Sequence, residues 1–371
     1  MTAAPDLSLS QLHALAQPLG FALVGVAPAE LTGHEAFLRD WLSKGLHGEM
    51  AYLAEHLSQR IDPTVLLPGA KSIICVADRY AARAPEASTA APSNPHGRVA
   101  RYAWGDDYHQ TIKKRLFTLA DVLRERFGAG HQFKVTVDTA PVLEREHAMR
   151  AGLGWIGKHT LLIHHRLGSY LLLGEIVTTL AIETSGDADY PLPLRPGTDH
   201  CGTCTRCIEA CPTRCIASEG YALDASRCIS YLTLEHRSLI APDLHDAIGN
   251  WVAGCDVCQE VCPHNRPGEA RDEPVRAEYE PRPGVAGGLN LLELLNWSAE
   301  DRQRTFTRSA LKRMKLEMVK RNALIAAGNH LARQDHPALR ARITELAKDE
   351  AEHPLVRETA RQVLARLGMV A

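Results

Sequence analysis

Apolar segments alternate with helical patterns through the first 185 residues. Four segments rich in Val, Ile and Leu have the length and composition of buried strands. The stretch from Tyr108 to Phe127 instead repeats apolar residues at the spacing of an amphipathic helix. This alternation predicts an α/β domain. The predicted strands are FALVGVA (21–27), KSIICVA (71–77), FKVTVDT (133–139) and SYLLLGEIVT (169–178).

Two stretches dense in Pro, Gly and charged residues divide the rest of the chain. They lie at 187–199 and at 263–288. We therefore predict a multidomain chain of mixed α/β and α+β character, with an α/β catalytic part at 1–186, a cysteine-rich ferredoxin-like part at 187–270 and an all-α part at 271–371.

The C-terminal part carries a helical pattern throughout. Its segments LIAAGNHLA (324–332) and VRETARQVLARLG (356–368) are related and recur roughly 35 residues apart, which favours HEAT-like repeats. Near the N-terminus, a stretch rich in Pro, Ala and Ser at 84–97 predicts a mobile loop.

Composition is that of an ordinary globular protein, with 45% hydrophobic and 23% charged residues in 371. The first residues resemble neither a secretory signal nor a twin-arginine signal. The apolar runs are too short to span a bilayer. We expect a cytoplasmic protein without a membrane segment.

Charge is distributed unevenly, although the formal net charge is only −2. Residues 302–321 form a run rich in basic residues. Such a run is either the solvated face of a helix or a phosphate-binding surface. This run contains one acid, Glu317, and the basic residues Arg302, Arg304, Arg308, Lys312, Arg313, Lys315, Lys320 and Arg321.

Nine of the ten cysteines lie between residues 201 and 262, and eight of these nine fit a ligand pattern. In a reducing compartment, clustered thiols favour metal over disulfides. Four of them are spaced x2, x2 and x3 and three are spaced x2 and x3, and both runs end in Cys-Pro, as in bacterial two-cluster ferredoxins. There the fourth cysteine of each run ligates the other cluster. One [4Fe–4S] cluster is thus assigned to Cys201, Cys204, Cys207 and Cys262, and the other to Cys211, Cys228, Cys255 and Cys258.

Zinc is the less favoured alternative, because the third cysteine at x2 and the Cys-Pro endings do not fit paired Cys-x2-Cys knuckles. Cys75 and Cys215 lie outside the pattern and are predicted to be structural thiols. An insertion at 229–254 separates Cys228 from Cys255, two ligands of one cluster. We expect a functional element there.

Residues 152–157, GLGWIG, match G-x-G-x-x-G, but a helical segment precedes them and a strand-like segment follows. A dinucleotide site requires the reverse order, so we expect these glycines to let the backbone approach a bulky flat ligand. Asp138 ends a predicted strand shortly before Pro141. It either caps the next helix or donates a proton into a pocket at the strand's carboxyl end, where open α/β sheets bind ligands.

Seven segments spread over nearly the whole chain form a specific combination. They are RYAWGDDYH (101–109), VDTAPVLERE (137–146), AGLGWIGKHTLLI (151–163), GSYLLLGEIVTT (168–179), CGTCTRCIEACPT (201–213), CISYLTLEHR (228–237) and GCDVCQEVCPHN (254–265). In combination, these segments resemble the epoxyqueuosine reductases. That family resembles the reductive dehalogenases in using cobalamin beside two [4Fe–4S] clusters. The resemblance implies an oxidoreductase that removes the epoxide oxygen of epoxyqueuosine at the wobble position of tRNA, giving queuosine.

The resemblance also implies roles for individual residues. Asp138 matches the family's proposed proton donor, a role that a raised pKa would suit. His236 matches a position that meets tRNA, and the helices with Arg313 and Lys315 resemble a HEAT-like tRNA-binding unit. We expect an external low-potential electron donor and a monomer. Cobalamin-contact positions are matched by Asp138, Arg60, Arg101, Leu162, Leu173, Val177, Ser230 and Asp256.

Three alternatives remain at this point. A cobalamin-dependent reductase of a small molecule, similar to the reductive dehalogenases, would not need a basic helical part and would usually carry an export signal. A ferredoxin-like electron carrier would need neither the α/β part nor Asp138. An RNA-binding protein with structural clusters would bind no cobalamin.

Overall fold

The computed structural model of the chain describes most of its length. Both predicted part boundaries, at 186/187 and at 270/271, and most of the loop predicted at 84–97 lie outside the described residues. The described ranges are 5–81, 95–185, 200–266, 275–282, 285–286 and 288–369.

Four strands form the main sheet, in the order β1-β2-β7-β4. Each overlaps a segment predicted as a strand. Two smaller sheets have the orders β8-β3-β9 and β5-β6. The strands are β1 (Leu23–Pro28), β2 (Ser72–Arg79), β3 (His96–Val99), β4 (Phe133–Thr136), β5 (Trp155–Ile156), β6 (Leu162–Ile163), β7 (Leu171–Thr178), β8 (Trp251–Ala253) and β9 (Leu289–Asn290).

Helices occupy the segments before, between and after these strands. The longest N-terminal helix has the predicted bounds, Tyr108–Phe127; the Asp107 side chain caps its start, and Gly128 follows its end. The helices are α1 (Leu9–Ala16), α2 (Glu35–Ser43), α3 (Tyr52–Glu55), α4 (Leu57–Ile61), α5 (Pro63–Leu66), α6 (Tyr108–Phe127), α7 (Glu144–Arg150), α8 (Arg206–Ala210), α9 (Ile229–Leu234), α10 (His245–Ile248), α11 (Val257–Glu260), α12 (Leu291–Asn296), α13 (Ala299–Phe306), α14 (Leu316–Leu331), α15 (Pro337–Lys348) and α16 (Pro354–Arg366).

The prediction of mixed α and β structure is confirmed, but every neighbouring pair in the main sheet is antiparallel rather than parallel. Helices α1 and α6 cover one face of the sheet, and α7 covers the other. A continuously apolar strand therefore indicates that both faces of the sheet are buried, but it does not indicate whether neighbouring strands are parallel or antiparallel. The argument that Asp138 faces a pocket because parallel strands end there does not apply.

A small sheet joins the three predicted parts of the chain. Strand β3 pairs in parallel with β8 of the cysteine-rich part and antiparallel with β9 of the C-terminal part. Helix α14 also packs against β8 and α9. The three parts thus share hydrogen bonds and core contacts, and a site can be built where they meet.

The C-terminal part is helical, as predicted. Helix α14 lies at its centre, with most of its side chains buried, and packs against α12 and α16. The packing is close at Gly328, where a β-carbon would lie 2.6 Å from Cγ1 of Val363 on α16. Among the described helices, none has the length and apolarity to cross a membrane.

Candidate active site and cysteine groups

Asp138 lies two residues beyond β4, in a backbone conformation with a φ of 56°. Its Oδ2 lies 3.0 Å from Nε2 of His109, and its backbone N–H donates to Oε1 of Glu144 at 2.5 Å. Helix α7 starts at Glu144 with Leu143 as its N-cap, so Asp138 does not cap that helix. Its side chain, 41% exposed, is instead open to a ligand.

His109 connects Asp138 to a second carboxylate. Its Nδ1 lies 2.6 Å from Oδ1 of Asp107, and the other oxygen of Asp107 accepts a hydrogen bond from Nζ of Lys312 at 2.5 Å. The ring of Tyr108 stacks on the imidazole, with centroids 4.0 Å apart. His109 is therefore fixed at both nitrogens and on one face, between two carboxylates.

The charges of this pair determine where its proton resides. Burial favours a raised pKa for Asp138, but the hydrogen bond and charge of His109, with Arg313 nearby, hold its pKa below the usual value. Burial lowers the pKa of His109, and the hydrogen bonds to Asp107 and Asp138 outweigh it and raise the pKa to about 9. The expectation of a raised pKa at Asp138 is wrong for this arrangement: at neutral pH the proton lies on His109.

Residues from the other two predicted parts complete the site. Glu235, at the end of α9, accepts a hydrogen bond from Nη2 of Arg313 at 2.8 Å. Burial raises the pKa of Glu235, and the charge of Asp138 adds to that effect. The exposed Tyr52 interacts electrostatically with Glu235, Arg313 and Asp138. The insertion at 229–254 thus contributes a charged residue beside Asp138.

His109, Glu144 and Glu235 were not predicted as site residues. His109 was within reach of the sequence argument, because an Asp-x-His pair at a helix start is a common way to orient an imidazole. Glu144 and Glu235 carry no such signal, since only tertiary structure brings α7 and α9 to the end of β4.

The eight cysteines of the two predicted clusters lie in two groups. Within each group the thiols are close enough for their charges to interact. No three donors among the described residues converge on a single metal ion. This does not conflict with a [4Fe–4S] cluster, because each thiolate there binds a different iron and the four ligands lie further apart than the ligands of one ion. One group holds Cys201, Cys204, Cys207 and Cys262, and the other Cys211, Cys228, Cys255 and Cys258.

The polar residues assigned to cobalamin adjoin either the second cysteine group or the surroundings of Asp138. The buried carboxylate of Asp256 accepts the backbone N–H of Arg101 at 2.7 Å, and burial raises its pKa to about 6. The backbone N–H of Ser230 donates to the Cys228 sulfur. Arg60 interacts with Tyr52, and its Nε is buried with no hydrogen-bond partner among the described residues. An orphaned donor at this position fits a polar ligand such as the amide groups around a corrin ring.

Comparison with known proteins assigns this site to a family. Residues 60–139 match the family model described as "Epoxyqueuosine reductase QueG, DUF1730", and residues 200–265 match "4Fe-4S double cluster binding domain". The epoxyqueuosine reductase of Xanthomonas campestris pv. campestris is 38% identical over 98% of both chains. That of Pseudomonas aeruginosa is 41% identical over 84% of this chain and 82% of its own length. The chain belongs to the epoxyqueuosine reductase family.

Solved structures agree with this assignment. A crystal structure of an epoxyqueuosine reductase with an epoxyqueuosine-modified tRNA-Tyr stem loop has a TM-score of 0.82 and 28% identity, covering 97% of this chain and 90% of that one. A structure of the Bacillus subtilis epoxyqueuosine reductase, with its catalytic aspartate loop swung out of the active site, also has a TM-score of 0.82, with 27% identity, covering 96% of this chain and 90% of that one.

Three of the residues assigned to cobalamin contacts, Leu162, Leu173 and Val177, are apolar. Val177 on β7 is fully buried and Leu162 on β6 is 3% exposed, both in the core beneath α7. Side chains this buried present little surface to a ligand, and both assignments stay predictions. Leu173 shares the sheet face of Val177 but is partly exposed, and its assignment stays a prediction.

The glycines of the GLGWIG segment allow close packing within the protein rather than the approach of a ligand. A β-carbon on Gly154 would lie 2.2 Å from the carbonyl oxygen of Ile163, and one on Gly157 would lie 2.4 Å from its side chain. The expectation of a flat ligand over these glycines is wrong, because β6 occupies that space.

The basic run at 302–321 is used largely within the fold. Arg321 is fully buried and donates to the carbonyl oxygens of Leu232, His236 and Ser238. Lys320 is buried against Glu352 at 2.6 Å. The interpretation of the whole run as a single phosphate-binding face is therefore wrong. The sequence shows how many charges the run carries, but some of them are buried and cannot bind a phosphate at the surface.

Replacing Arg321 with methionine is expected to lower the free energy of unfolding by about 2–3 kcal/mol, because buried carbonyl groups lose their donor. Arg304→Met is the control, since Arg304 lies in the same run with a side chain 76% exposed, and it is expected to change stability by less than about 0.5 kcal/mol. Urea unfolding of both variants measures the difference. Equal stability of the two would contradict the structural role of Arg321.

Proposed function

We propose that this chain reduces epoxyqueuosine to queuosine at the wobble position of tRNA. The observation that carries this proposal is the Asp138–His109 pair, which stands partly open where residues of the three predicted parts of the chain meet. Family membership supports the same reaction, since relatives along almost the whole chain are epoxyqueuosine reductases. It also disfavours a small-molecule reductase and a simple electron carrier.

The reaction removes the epoxide oxygen as water, so it consumes two electrons and two protons. Two [4Fe–4S] clusters, held by the two cysteine groups, would deliver the electrons one at a time. Bound cobalamin would supply the low-potential reduction of the epoxide carbon. Arg60, Arg101, Ser230 and Asp256 are the residues proposed to hold it, with Arg60 supplying an otherwise orphaned donor.

Asp138 and His109 are proposed to supply both protons in turn, the first as the bond between the oxygen and the epoxide carbon breaks and the second, after solvent has reprotonated His109, as the oxygen leaves as water. The exposed carboxylate of Asp138 faces the substrate, and the protonated His109 behind it holds a proton at 3.0 Å. Proton transfer through Asp138 to the oxygen that leaves the epoxide carbon would neutralise its developing charge. Despite burial, the carboxylates of Asp107 and Asp138 raise the pKa of His109 to about 9, so His109 still holds that proton at neutral pH.

Arg313 and Tyr52 are proposed to bind the substrate nucleotide. Arg313 is half exposed next to Glu235, and both Arg313 and Tyr52 interact with Asp138. The exposed cations of the C-terminal part, Lys315 among them, would bind phosphates of the anticodon arm. Both ring nitrogens of His236 already have protein partners, Glu49 and the carbonyl oxygen of Leu239, so its contact with tRNA stays a prediction.

Lys315→Glu is expected to weaken tRNA binding by about three- to tenfold and to reduce the slope of log affinity against log salt by about 1. Lys315 starts α14 with a side chain 58% exposed and only a long contact, 3.9 Å, with Glu317. Arg126→Glu is the control, at the far end of α6 from His109. Fluorescence anisotropy with a tRNA stem loop at several salt concentrations measures both quantities. The same loss in both variants would indicate a general charge effect.

Nucleoside analysis of tRNA tests the proposed function. Cells that lack this protein are expected to accumulate epoxyqueuosine, and the wild-type gene is expected to restore queuosine. The purified protein is expected to hold about eight irons and to show a corrinoid spectrum when cobalamin is supplied. Unchanged queuosine in the deleted strain would overturn the function, and an iron-only spectrum would overturn the cobalamin assignment. A cytoplasmic location, a monomeric state and an external electron donor complete the proposal.

A further inference from the structure

A ninth thiol lies at the second cysteine group. Sγ of Cys215 is 3.4 Å from Sγ of Cys211, and it is also hydrogen-bonded to the Cys228 thiol. Cys215 is buried in one apolar cluster with Cys207, Cys211, Cys228 and Cys258. The expectation that Cys215 is a structural thiol outside the pattern therefore misses its position, which is in contact with two predicted ligands of one cluster.

The backbone fixes this position. The carbonyl oxygen of Cys215 accepts the N–H of Asp224 at 2.8 Å, and the next residue, Ile216, forms a β-bridge with Leu223. The first cysteine group has no equivalent thiol, because the residue four places after Cys262, as Cys215 is after Cys211, is Arg266. The two groups thus differ in their surroundings.

The direction of the hydrogen bond follows from ligation. A cysteine that binds iron is a thiolate and has no proton to donate. Cys211 is followed by Pro212 and fits the ligand pattern, whereas Cys215 does not. A buried thiol that binds no metal keeps its proton. Between these two sulfurs, Cys215 is therefore the donor.

We propose that Cys215 donates its S–H to the Cys211 sulfur of the second [4Fe–4S] cluster and raises that cluster's reduction potential. A hydrogen bond to a ligand sulfur stabilises the more negative, reduced cluster. Cys215 is thus a positioning residue for electron transfer. With this hydrogen bond, the second cluster is a better electron acceptor than it would be without it. The proposal rests on the proposed function, which places a cluster at these thiols.

Redox titration of the anaerobic holoprotein, followed by EPR, tests this. Cys215→Ala is expected to keep about eight irons and to shift one midpoint potential to a more negative value. Cys215→Ser, which keeps a donor, is expected to shift it less. Backbone N–H groups such as that of Ser230 also place exchangeable deuterons near this cluster after exchange into D2O. Pulsed ENDOR of the reduced cluster is therefore expected to show one additional deuteron coupling in the wild type and in Cys215→Ser that is lost in Cys215→Ala. Cys75→Ala, which removes a buried thiol from the main sheet, is the control.

The outcomes separate this proposal from the proposed function. An unchanged potential and deuteron signal in Cys215→Ala, at full iron content, would overturn the hydrogen bond alone. Loss of about four irons in Cys215→Ala would make Cys215 a ligand and overturn its role as donor. An iron-free wild-type protein would overturn the cluster assignment, and this proposal with it.

Discussion

Asp138→Asn is expected to lower the rate of epoxyqueuosine reduction by at least about 10²-fold while leaving iron content and corrinoid binding unchanged. General acid catalysis contributes about 10²- to 10⁴-fold, and an amide cannot carry the proton. Asparagine is the appropriate substitution because Asp138 has a φ of 56°, a conformation that Asn tolerates and Ala does not. The change therefore removes the proton relay without straining the loop.

Single-turnover reduction of a modified stem loop, with pre-reduced enzyme, measures this rate apart from electron supply. Asp121→Asn is the matched control, an exposed aspartate on α6 paired with Arg124, and is expected to turn over normally. Asp138→Asn with wild-type turnover would mean that the proton reaches the substrate by another route. Loss of corrinoid binding would instead assign Asp138 to the cofactor.

Local sequence predicted the elements of this fold well. The pattern of apolar residues located all four strands of the main sheet and the bounds of α6, because each signal lies within one segment. Strand direction has no such local signal. Helices on both faces of the sheet make an antiparallel strand such as β2 as apolar as a parallel one, so the pattern could not distinguish them.

The site was predicted where its chemistry is carried by residue type and spacing. Cysteine spacing assigned eight thiols to two sets, and thiols of each set lie close enough for their charges to interact, although Cys207 and Cys258 of different sets also do. The assignment of individual ligands stays a prediction. The immediate neighbours of Asp138 were not predictable in this way, because His109, Glu144 and Glu235 come from three separate helices or helix ends. The lowering of its pKa by the hydrogen bond and charge of His109, instead of a rise, depends on distances that the sequence does not contain.

In the proposed reaction, protons and electrons would reach the site by different routes through the fold. Asp256, adjacent to the predicted cluster ligand Cys255, binds the backbone of Arg101, and the following residue, Tyr102, interacts electrostatically with Asp138. The hydrogen bonds from Asp138 through His109 and Asp107 to Lys312 lead instead to the surface of the C-terminal part. Docking of tRNA on that part would therefore cover the end of the proton route, which ties protonation to substrate binding.

His109→Gln is expected to lower the rate of the chemical step by about 10²-fold and to change its dependence on pH. In the wild type the rate is expected to fall as pH rises through about 9, where His109 loses its proton. Glutamine keeps a hydrogen bond to Asp138 but does not titrate, so that decline is expected to disappear. Single-turnover rates between pH 6 and 10 measure the effect. His131→Gln, in the loop before β4, is the control and is expected to keep the wild-type profile.

Stability gives an independent measurement of the same charge. The pKa of His109 is raised above its unfolded value of 6.5, so its contribution to folding is complete below about pH 6.5 and is lost as pH rises through about 9. The difference in unfolding free energy between wild type and His109→Gln is therefore expected to shrink over that interval. A constant difference, together with an unchanged rate profile, would show that His109 is not the charged partner of Asp138, and the proton would then have to be stored elsewhere.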